Sequence, residues 1–155
     1  MNAYRAKPSN VPWPPIIAAA ALLLAILAGR IIALPLPDAA FLRMIGVLLL
    51  LAAIALDIWS VTTLRAARTT IMPTRKSTRL VTAGPYGFSR NPIYCGYVLF
   101  LIGLGLIFAN AWFVAFAAAT AYGIHRFAIE REELHLLAVF GAEYESYCRR
   151  VRRWV

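Results

Sequence analysis

Charged residues are scarce in this sequence, and acids are scarcer than bases. Only 15% of the residues are charged, and 7 Asp and Glu stand against 16 Lys and Arg, for a formal net charge of +9. A soluble domain usually carries about 25% charged residues. With 61% hydrophobic residues, the chain could not bury its apolar surface as a water-soluble globule. The same apolar content excludes a disordered chain.

Cysteine and histidine are also rare. The two cysteines, Cys95 and Cys148, are too few for a disulfide scaffold, and their spacing offers no metal site. The two histidines, His125 and His135, are too few for a metal centre. We therefore predict neither a disulfide framework nor a bound metal.

The hydrophobic residues are gathered into long runs with few charges. Residues 11–29 are uncharged, and a membrane span needs roughly 20 apolar residues. A second run extends over residues 41–64, after a proline-containing turn at 35–38. Residues 91–125 contain no Lys, Arg, Asp or Glu and are too long for one crossing, which predicts a hairpin that turns near residues 109–111. We predict four membrane-spanning helices, at about 13–34, 41–64, 92–109 and 111–129.

The basic residues predict which side of the membrane the loops occupy. Apart from Arg30 and Arg43, every Lys and Arg falls before the first span, between the second and third, or, from Arg126 onward, at the end of the fourth span or after it. Because cytoplasmic loops carry the excess of positive charge, both termini and the central loop are predicted to be cytoplasmic, in a bacterial inner membrane. A secretory signal peptide is the alternative for the first run, although no small-x-small cleavage site follows it. No basic stripe lies on a soluble domain, so nucleic-acid binding is not expected.

Two cytoplasmic segments, residues 65–90 and 130–155, are longer than a simple helix bundle needs, and loops of this length are usually functional or disordered. The second has apolar residues at helical spacing, which predicts an amphipathic helix that could also rest on an anionic membrane surface. Arg126, Glu130 and Glu133 share one face of this helix, beside Glu132. Ion pairs within the helix and a polar wall that binds a ligand both remain open interpretations.

The central loop ends in a turn-rich sequence, GPYGFSRNPIYCGY, at residues 84–97. Gly84 and Gly87 favour turns, and Pro92 suits the first turn of the third span. Arg90 and Asn91 therefore stand at a helix N-terminus, where backbone amides point outward. Tyrosines surround this position, either as ligand-binding groups or as anchors at the membrane interface: Tyr86, Tyr94 and Tyr97.

These two segments resemble a known family. Residues 84–96, GPYGFSRNPIYCG, are similar to the Gly-x-Tyr…Arg-His-Pro-x-Tyr-x-Gly signature of isoprenylcysteine carboxyl methyltransferases. Residues 132–151, EELHLLAVFGAEYESYCRRV, resemble that family's Glu-Glu-x-x-Leu-x-x-x-Phe-Gly-x-x-Tyr-x-x-Tyr…Val signature. The same superfamily includes phospholipid N-methyltransferases. Asn91 departs from the pattern, which more often has His; Asn can form hydrogen bonds but cannot carry a proton.

The resemblance covers residues 80–155 and implies an all-α integral membrane enzyme, one domain over residues 1–155, that uses S-adenosylmethionine. Its cofactor site would lie between residues 80–97 and 126–151, and a lipophilic acceptor would enter from the lipid bilayer. Arg90 and Arg126 would face the reacting centre. The cofactor-binding residues carried over from the family are Tyr86, Asn91, Pro92, Tyr94, Glu132 and Glu133.

Carboxyl O-methylation of an isoprenylcysteine-like compound is the leading expected reaction, because a carboxylate is already nucleophilic and needs only an Arg to orient it. N- or S-methylation of a lipid amine or thiol is the alternative, in which a glutamate could act as base. A different class, a small four-span proton-coupled transporter, would use Asp57 in the second span. No oligomeric state follows from the sequence.

Overall fold

The computed structural model describes residues 13–68 and 79–155. Within these ranges all regular secondary structure is helical, and strand-like pairing is limited to an isolated bridge between Pro35 and Asn110. The predicted all-α class is therefore confirmed. Four basic residues on which the charge argument partly depends lie outside the described residues: Arg5, Lys7, Arg75 and Lys76.

The first two helices are long and apolar. α1 spans Trp13–Ile31 and α2 spans Ala40–Ala66, and both are long and apolar enough to cross a membrane. The next two are shorter: α3 spans Pro92–Ile107 and α4 spans Ala111–Ile124. The four-span count requires α3 and α4 to cross as a hairpin, and it stays a prediction.

The turn between α3 and α4 lies where the sequence predicts it. Ala109 has a φ of 48°, and the Asn110 side chain accepts a hydrogen bond of 3.0 Å from the backbone N–H of Trp112, which caps α4. The α1–α2 connection is attached to this turn, because Trp112 Nε1 donates to the Ile32 carbonyl at 2.8 Å. Both turns therefore lie at the same end of the bundle.

Small residues let the helices approach closely. A Cβ added to Gly103 on α3 would lie 2.8 Å from the Gly46 carbonyl oxygen on α2, so neither position has room for a side chain. α1 packs mainly against α4, and α2 against α3. Buried residues of α1, α3 and α4 form the largest apolar core: Ala21, Ala25, Leu101, Phe113 and Ala117.

The segment after α4 differs from the single amphipathic helix that the sequence predicts. A π-helical turn, His125–Ile129, continues α4 into α5, which spans Glu130–Phe140. Gly141 then ends α5 with a φ of 51° and a ψ of −124°, a conformation that side-chain-bearing residues rarely adopt. A separate helix, α6, follows over Ala142–Arg150. The C-terminal segment is therefore two helices joined at a glycine.

Candidate functional site

One end of the bundle brings together the turn before α3, helices α5 and α6, and residues 151–155. The Arg90 backbone N–H donates to the Arg152 carbonyl at 3.0 Å, and Asn91 Nδ2 donates to the Arg153 carbonyl at 2.9 Å. Cys95 Sγ lies 3.7 Å from the Trp154 carbonyl. Residues 151–155 therefore run along the start of α3 and connect the two segments that the sequence singles out.

A short hydrogen bond connects α3 to α5 at this end. Pro92 is buried in the first turn of α3, and one half-turn later the Tyr94 hydroxyl donates to Glu132 Oε1 at 2.7 Å. Burial raises the pKa of Glu132, and the neighbouring charge of Glu133 raises it further, against the hydrogen bond from Tyr94. Glu132 is thus a desolvated carboxyl group held in a fixed position by one tyrosine.

Glu133 lies between two arginines. Arg90 Nη2 is 3.1 Å from Glu133 Oε1, and Arg153 donates through Nε at 2.9 Å and Nη2 at 2.6 Å to the two carboxylate oxygens. The bidentate pair raises the pKa of Arg153. Arg90 also contacts Cys148 Sγ, while its Nε is buried without a hydrogen-bond partner in the described part of the chain. We call Arg90, Tyr94, Glu132, Glu133 and Arg153 the polar cluster.

The turn before α3 is held against α6. Gly84–Gly87 forms a short 3-10 helix in which Gly84 has a φ of 60°. The carbonyl oxygen of Tyr86 in this turn accepts a hydrogen bond of 2.7 Å from the buried Tyr147 hydroxyl. Burial, together with the nearby Tyr147 and the charge of Glu132, raises the pKa of Tyr86. Tyr147 and Cys148 are adjacent on α6, and Cys148 contacts Arg90, so the turn that contains Tyr86 lies beside the polar cluster.

Apart from Arg126, the site residues expected from the sequence lie in the polar cluster or in the turn beside it: Tyr86, Arg90, Asn91, Pro92, Tyr94, Glu132 and Glu133. Arg126 has a side chain that is 61% exposed and forms an ion pair of 2.7 Å with Glu130. The intrahelical pair that the spacing allowed is therefore present for Arg126 and Glu130, whereas Glu133 binds arginines from other segments.

Sequence reasoning missed Arg153 and Tyr147. The basic residues near position 150 suggested only a membrane-surface helix, and no periodic pattern shows that residues 151–155 run along the start of α3. The Tyr-x-x-Tyr spacing of Tyr144 and Tyr147 was the available signal, since both are buried with Val151 in one apolar cluster. Among the described residues no group of three or more His, Cys, Asp or Glu side chains could hold a metal ion.

Residues 41–143 match the family model described as phospholipid methyltransferase. The chain belongs to this family. The match includes α2, the α3–α4 hairpin and four members of the polar cluster, Arg90, Tyr94, Glu132 and Glu133, whereas α1 and Arg153 lie outside it. It gives no support to the transporter alternative built on Asp57.

Several curated proteins are similar to about half of the chain. The mouse and human proteins named protein-S-isoprenylcysteine O-methyltransferase are 36% identical over 72 residues, which is 46% of this chain and 25% of each relative. The nickel-cobalt-cadmium resistance protein NccN of Alcaligenes xylosoxydans xylosoxydans is 38% identical over 76 residues, which is 49% of this chain and 35% of that relative. The matches to the mouse and human proteins confirm the resemblance to isoprenylcysteine carboxyl methyltransferases.

The matched segment spans about a third or less of each of these curated relatives, 35% at most. No solved structure gives a significant match. The relatives therefore support the family resemblance, whereas the reaction and the substrate have to be argued from this chain's own residues.

Proposed function

We propose that this methyltransferase takes a methyl group from S-adenosylmethionine and transfers it to a lipophilic acceptor that arrives from the bilayer. The observation that carries the proposal is the polar cluster, in which two family-matching segments meet through the Tyr94–Glu132 hydrogen bond and the Arg90–Glu133 ion pair. When bound, the cofactor supplies an electrophilic methyl group on a sulfonium cation.

The residues at this end of the bundle fit a cationic cofactor. The desolvated Glu132 carboxyl group suits a hydroxyl or ammonium donor, and the rings of Tyr86 and Tyr94 can hold a cation against their faces, worth about 0.5–2 kcal/mol. Asn91 and Pro92 position the backbone at the start of α3. Methyl transfer depends mainly on holding donor and acceptor at contact distance, so rigid placement is the chief contribution of these residues.

Carboxyl O-methylation of an isoprenylcysteine-like compound is the acceptor chemistry we propose first. The mammalian relatives named for that reaction support it. So does Arg90, whose buried Nε is a donor without a partner in the described part of the chain, because a carboxylate acceptor would satisfy it. Arg126 is proposed as a second orienting group, although it pairs with Glu130 on the exposed face.

N- or S-methylation of a lipid amine or thiol is the second candidate. The raised pKa of Glu132 favours it, because a carboxylate with a higher pKa is a better general base for deprotonating an acceptor. In both cases we propose a four-span arrangement in a bacterial inner membrane, with the polar cluster and both termini on the cytoplasmic side. Arg30 and the Arg43–Asp38 pair would then lie at the opposite surface.

The first test is binding of S-adenosylhomocysteine, the demethylated product, to the protein in lipid nanodiscs by calorimetry. We expect the unaltered protein to bind and Glu133→Gln to bind about tenfold more weakly, because Arg90 and Arg153 lose their shared carboxylate. Glu130→Gln is the matched control, since Glu130 belongs to the exposed pair with Arg126. Absence of binding by the unaltered protein in several lipid compositions would overturn the proposed function.

A further inference from the structure

A partly open cavity of about 250 Å³ lies between α1, α2 and α3. Most of its wall is apolar, with Ala18, Ala19 and Leu22 on α1 and Phe100 on α3. Its polar members are Asp57 on α2 and Tyr97 on α3. A cavity with one carboxyl group in an apolar wall suits a molecule with a long hydrocarbon part and a small polar head.

One oxygen of the carboxyl group in this wall has no hydrogen-bond partner in the part of the chain that the structure describes. Asp57 Oδ1 is buried and accepts no hydrogen bond from the described residues. Gly96 lies directly opposite on α3, and a Cβ added there would collide with Asp57 Oδ1, so the absence of a side chain at position 96 leaves the space for this carboxyl group. A buried acceptor without a donor is unfavourable, and a ligand that supplies a donor would remove this penalty.

The cavity adjoins the polar cluster through two tyrosines. The ring centroid of Tyr97 is 6.3 Å from that of Tyr94, whose hydroxyl bonds Glu132. The turn before α3 also lies against α2, the helix that carries Asp57, since a Cβ added to Gly84 would be 3.1 Å from Thr63 Oγ1. A head group held at Asp57 would therefore be next to the proposed cofactor site.

The helix packing leaves an approach from the bilayer. α1 packs mainly against α4 and α2 against α3, so the cavity separates α1 from the α2–α3 pair. Large apolar side chains on the outer faces of α1 and α2 are exposed, as expected for surfaces in contact with lipid chains. A lipophilic compound could enter this space sideways without its chain crossing water.

We propose that the cavity binds the apolar chain of the methyl acceptor and that Asp57 accepts a hydrogen bond from an N–H group of the acceptor's head. This inference rests on the proposed function and narrows it to nitrogen-bearing lipophilic acceptors. In an S-isoprenylcysteine-like acceptor the donor is the amino-acid nitrogen, which leaves the carboxyl group free for Arg90. A carboxylic acid without that nitrogen would have no N–H group to donate a hydrogen bond to Asp57.

The test uses two compounds that differ only at this nitrogen: S-farnesylcysteine and 3-(farnesylthio)propanoic acid. Their binding to the S-adenosylhomocysteine-loaded protein in nanodiscs is measured by native mass spectrometry, and their turnover is measured separately. We expect the unaltered protein to bind S-farnesylcysteine about tenfold more tightly, and Asp57→Leu to reduce the difference to about twofold or less. Asp57→Asn, which keeps an acceptor oxygen, should retain part of the preference.

A second pair of variants tests the position of the chain. Ala19→Phe would fill the cavity, whereas Ala20→Phe adds the same side chain at the neighbouring exposed position of α1. We expect only the former to weaken S-farnesylcysteine binding, with S-adenosylhomocysteine affinity unchanged in both. Equal binding of the two compounds to the unaltered protein, or an unchanged preference in Asp57→Leu, would overturn the inference. Loss of S-adenosylhomocysteine binding itself would instead count against the proposed function.

Discussion

Glu132 and Glu133 are adjacent in the chain, yet they bind different partners. Successive residues of an α-helix point about 100° apart, so Glu132 reaches Tyr94 on α3 while Glu133 reaches Arg90 and Arg153. Glu133 is neutralised by two guanidinium groups, whereas Glu132 shares a single tyrosine hydroxyl. Glu133 therefore stabilises the contact between the segments, and Glu132 is the carboxyl group that can bind a ligand.

Tyr94→Phe removes the hydroxyl group that bonds Glu132. We expect the free energy of unfolding to fall by about 1–3 kcal/mol, and affinity for S-adenosylhomocysteine to fall several-fold, because the buried Glu132 loses its donor. Thermal unfolding and calorimetry measure the two effects. Tyr122→Phe is the control, since Tyr122 is 71% exposed and its loss should change neither quantity.

Glu132 should also give stability a dependence on pH. Its pKa in the folded protein is raised, so the folded state binds the proton more tightly than the unfolded state does. The stabilisation from protonation is therefore complete below the unfolded pKa and is lost as pH rises through the folded pKa. We expect Glu132→Gln to melt at a higher temperature than the unaltered protein at neutral pH, because Gln is uncharged. The difference between the two melting temperatures should shrink as the pH is lowered and Glu132 becomes protonated. A gap that is independent of pH would contradict the assignment.

At the scale of helices, Gly141 sets the direction of α6. With a φ of 51° and a ψ of −124°, it occupies a region that side chains disfavour, and no atom lies within 4 Å of a Cβ built there. Gly141→Ala should therefore destabilise the protein by about 1–3 kcal/mol through backbone strain alone. It should also weaken S-adenosylhomocysteine binding, because α6 and residues 151–155 would be displaced.

The matched control for Gly141→Ala is Gly123→Ala on α4. A Cβ at position 123 would contact Ile17 at 3.5 Å, an ordinary van der Waals distance, so this variant should keep or raise the melting temperature. Equal effects of the two substitutions would show that the backbone at Gly141 is not strained.

The helices were predictable to different degrees for physical reasons. Apolar runs interrupted by Pro35 and Pro37 indicate α1 and α2, and the length of the third run requires a turn near Asn110. The π-helical turn at His125–Ile129 and the break at Gly141 were not predicted. One extra residue in a turn, or one glycine, changes the helical spacing of apolar residues too little to be noticed in the sequence. The position of residues 151–155 beside α3 depends on carbonyl oxygens of this segment, which accept hydrogen bonds from the Arg90 N–H and the Asn91 side chain; main-chain acceptors leave no residue pattern.

The site was predictable where the two motifs cover it. Tyr94 with Glu132, and Arg90 with Glu133, are brought together from the start of α3 and from α5, which follows the α3–α4 hairpin. Arg153 was not predicted, since its position depends on how residues 151–155 run along the start of α3. Asp57 was recognised as an unusual acid in an apolar helix. The cavity beside it was not predictable, because it depends on the packing of three helices and on the absence of a side chain at Gly96.

For the whole molecule, the proposed topology can be tested with single cysteines. In a background with Cys95 and Cys148 replaced by alanine, we would place cysteine at Asp38 or at Thr82, both exposed. In intact spheroplasts a membrane-impermeant maleimide should label the former at once and the latter only after permeabilisation, because Thr82 belongs to the proposed cytoplasmic loop. Immediate labelling at both positions would contradict a cytoplasmic polar cluster.

Helix length adds a consequence for the lipid around the molecule. α2 has 27 residues and is about 40 Å long, whereas α3 has 16 and is about 24 Å long, against a hydrocarbon core of about 30 Å. Short helices are matched by thinning of the adjacent bilayer. The polar cluster at the start of α3 would thus lie below the mean plane of the lipid headgroups, in a local depression. An acceptor anchored by its hydrocarbon chain would not have to rise out of the membrane to reach the methyl donor.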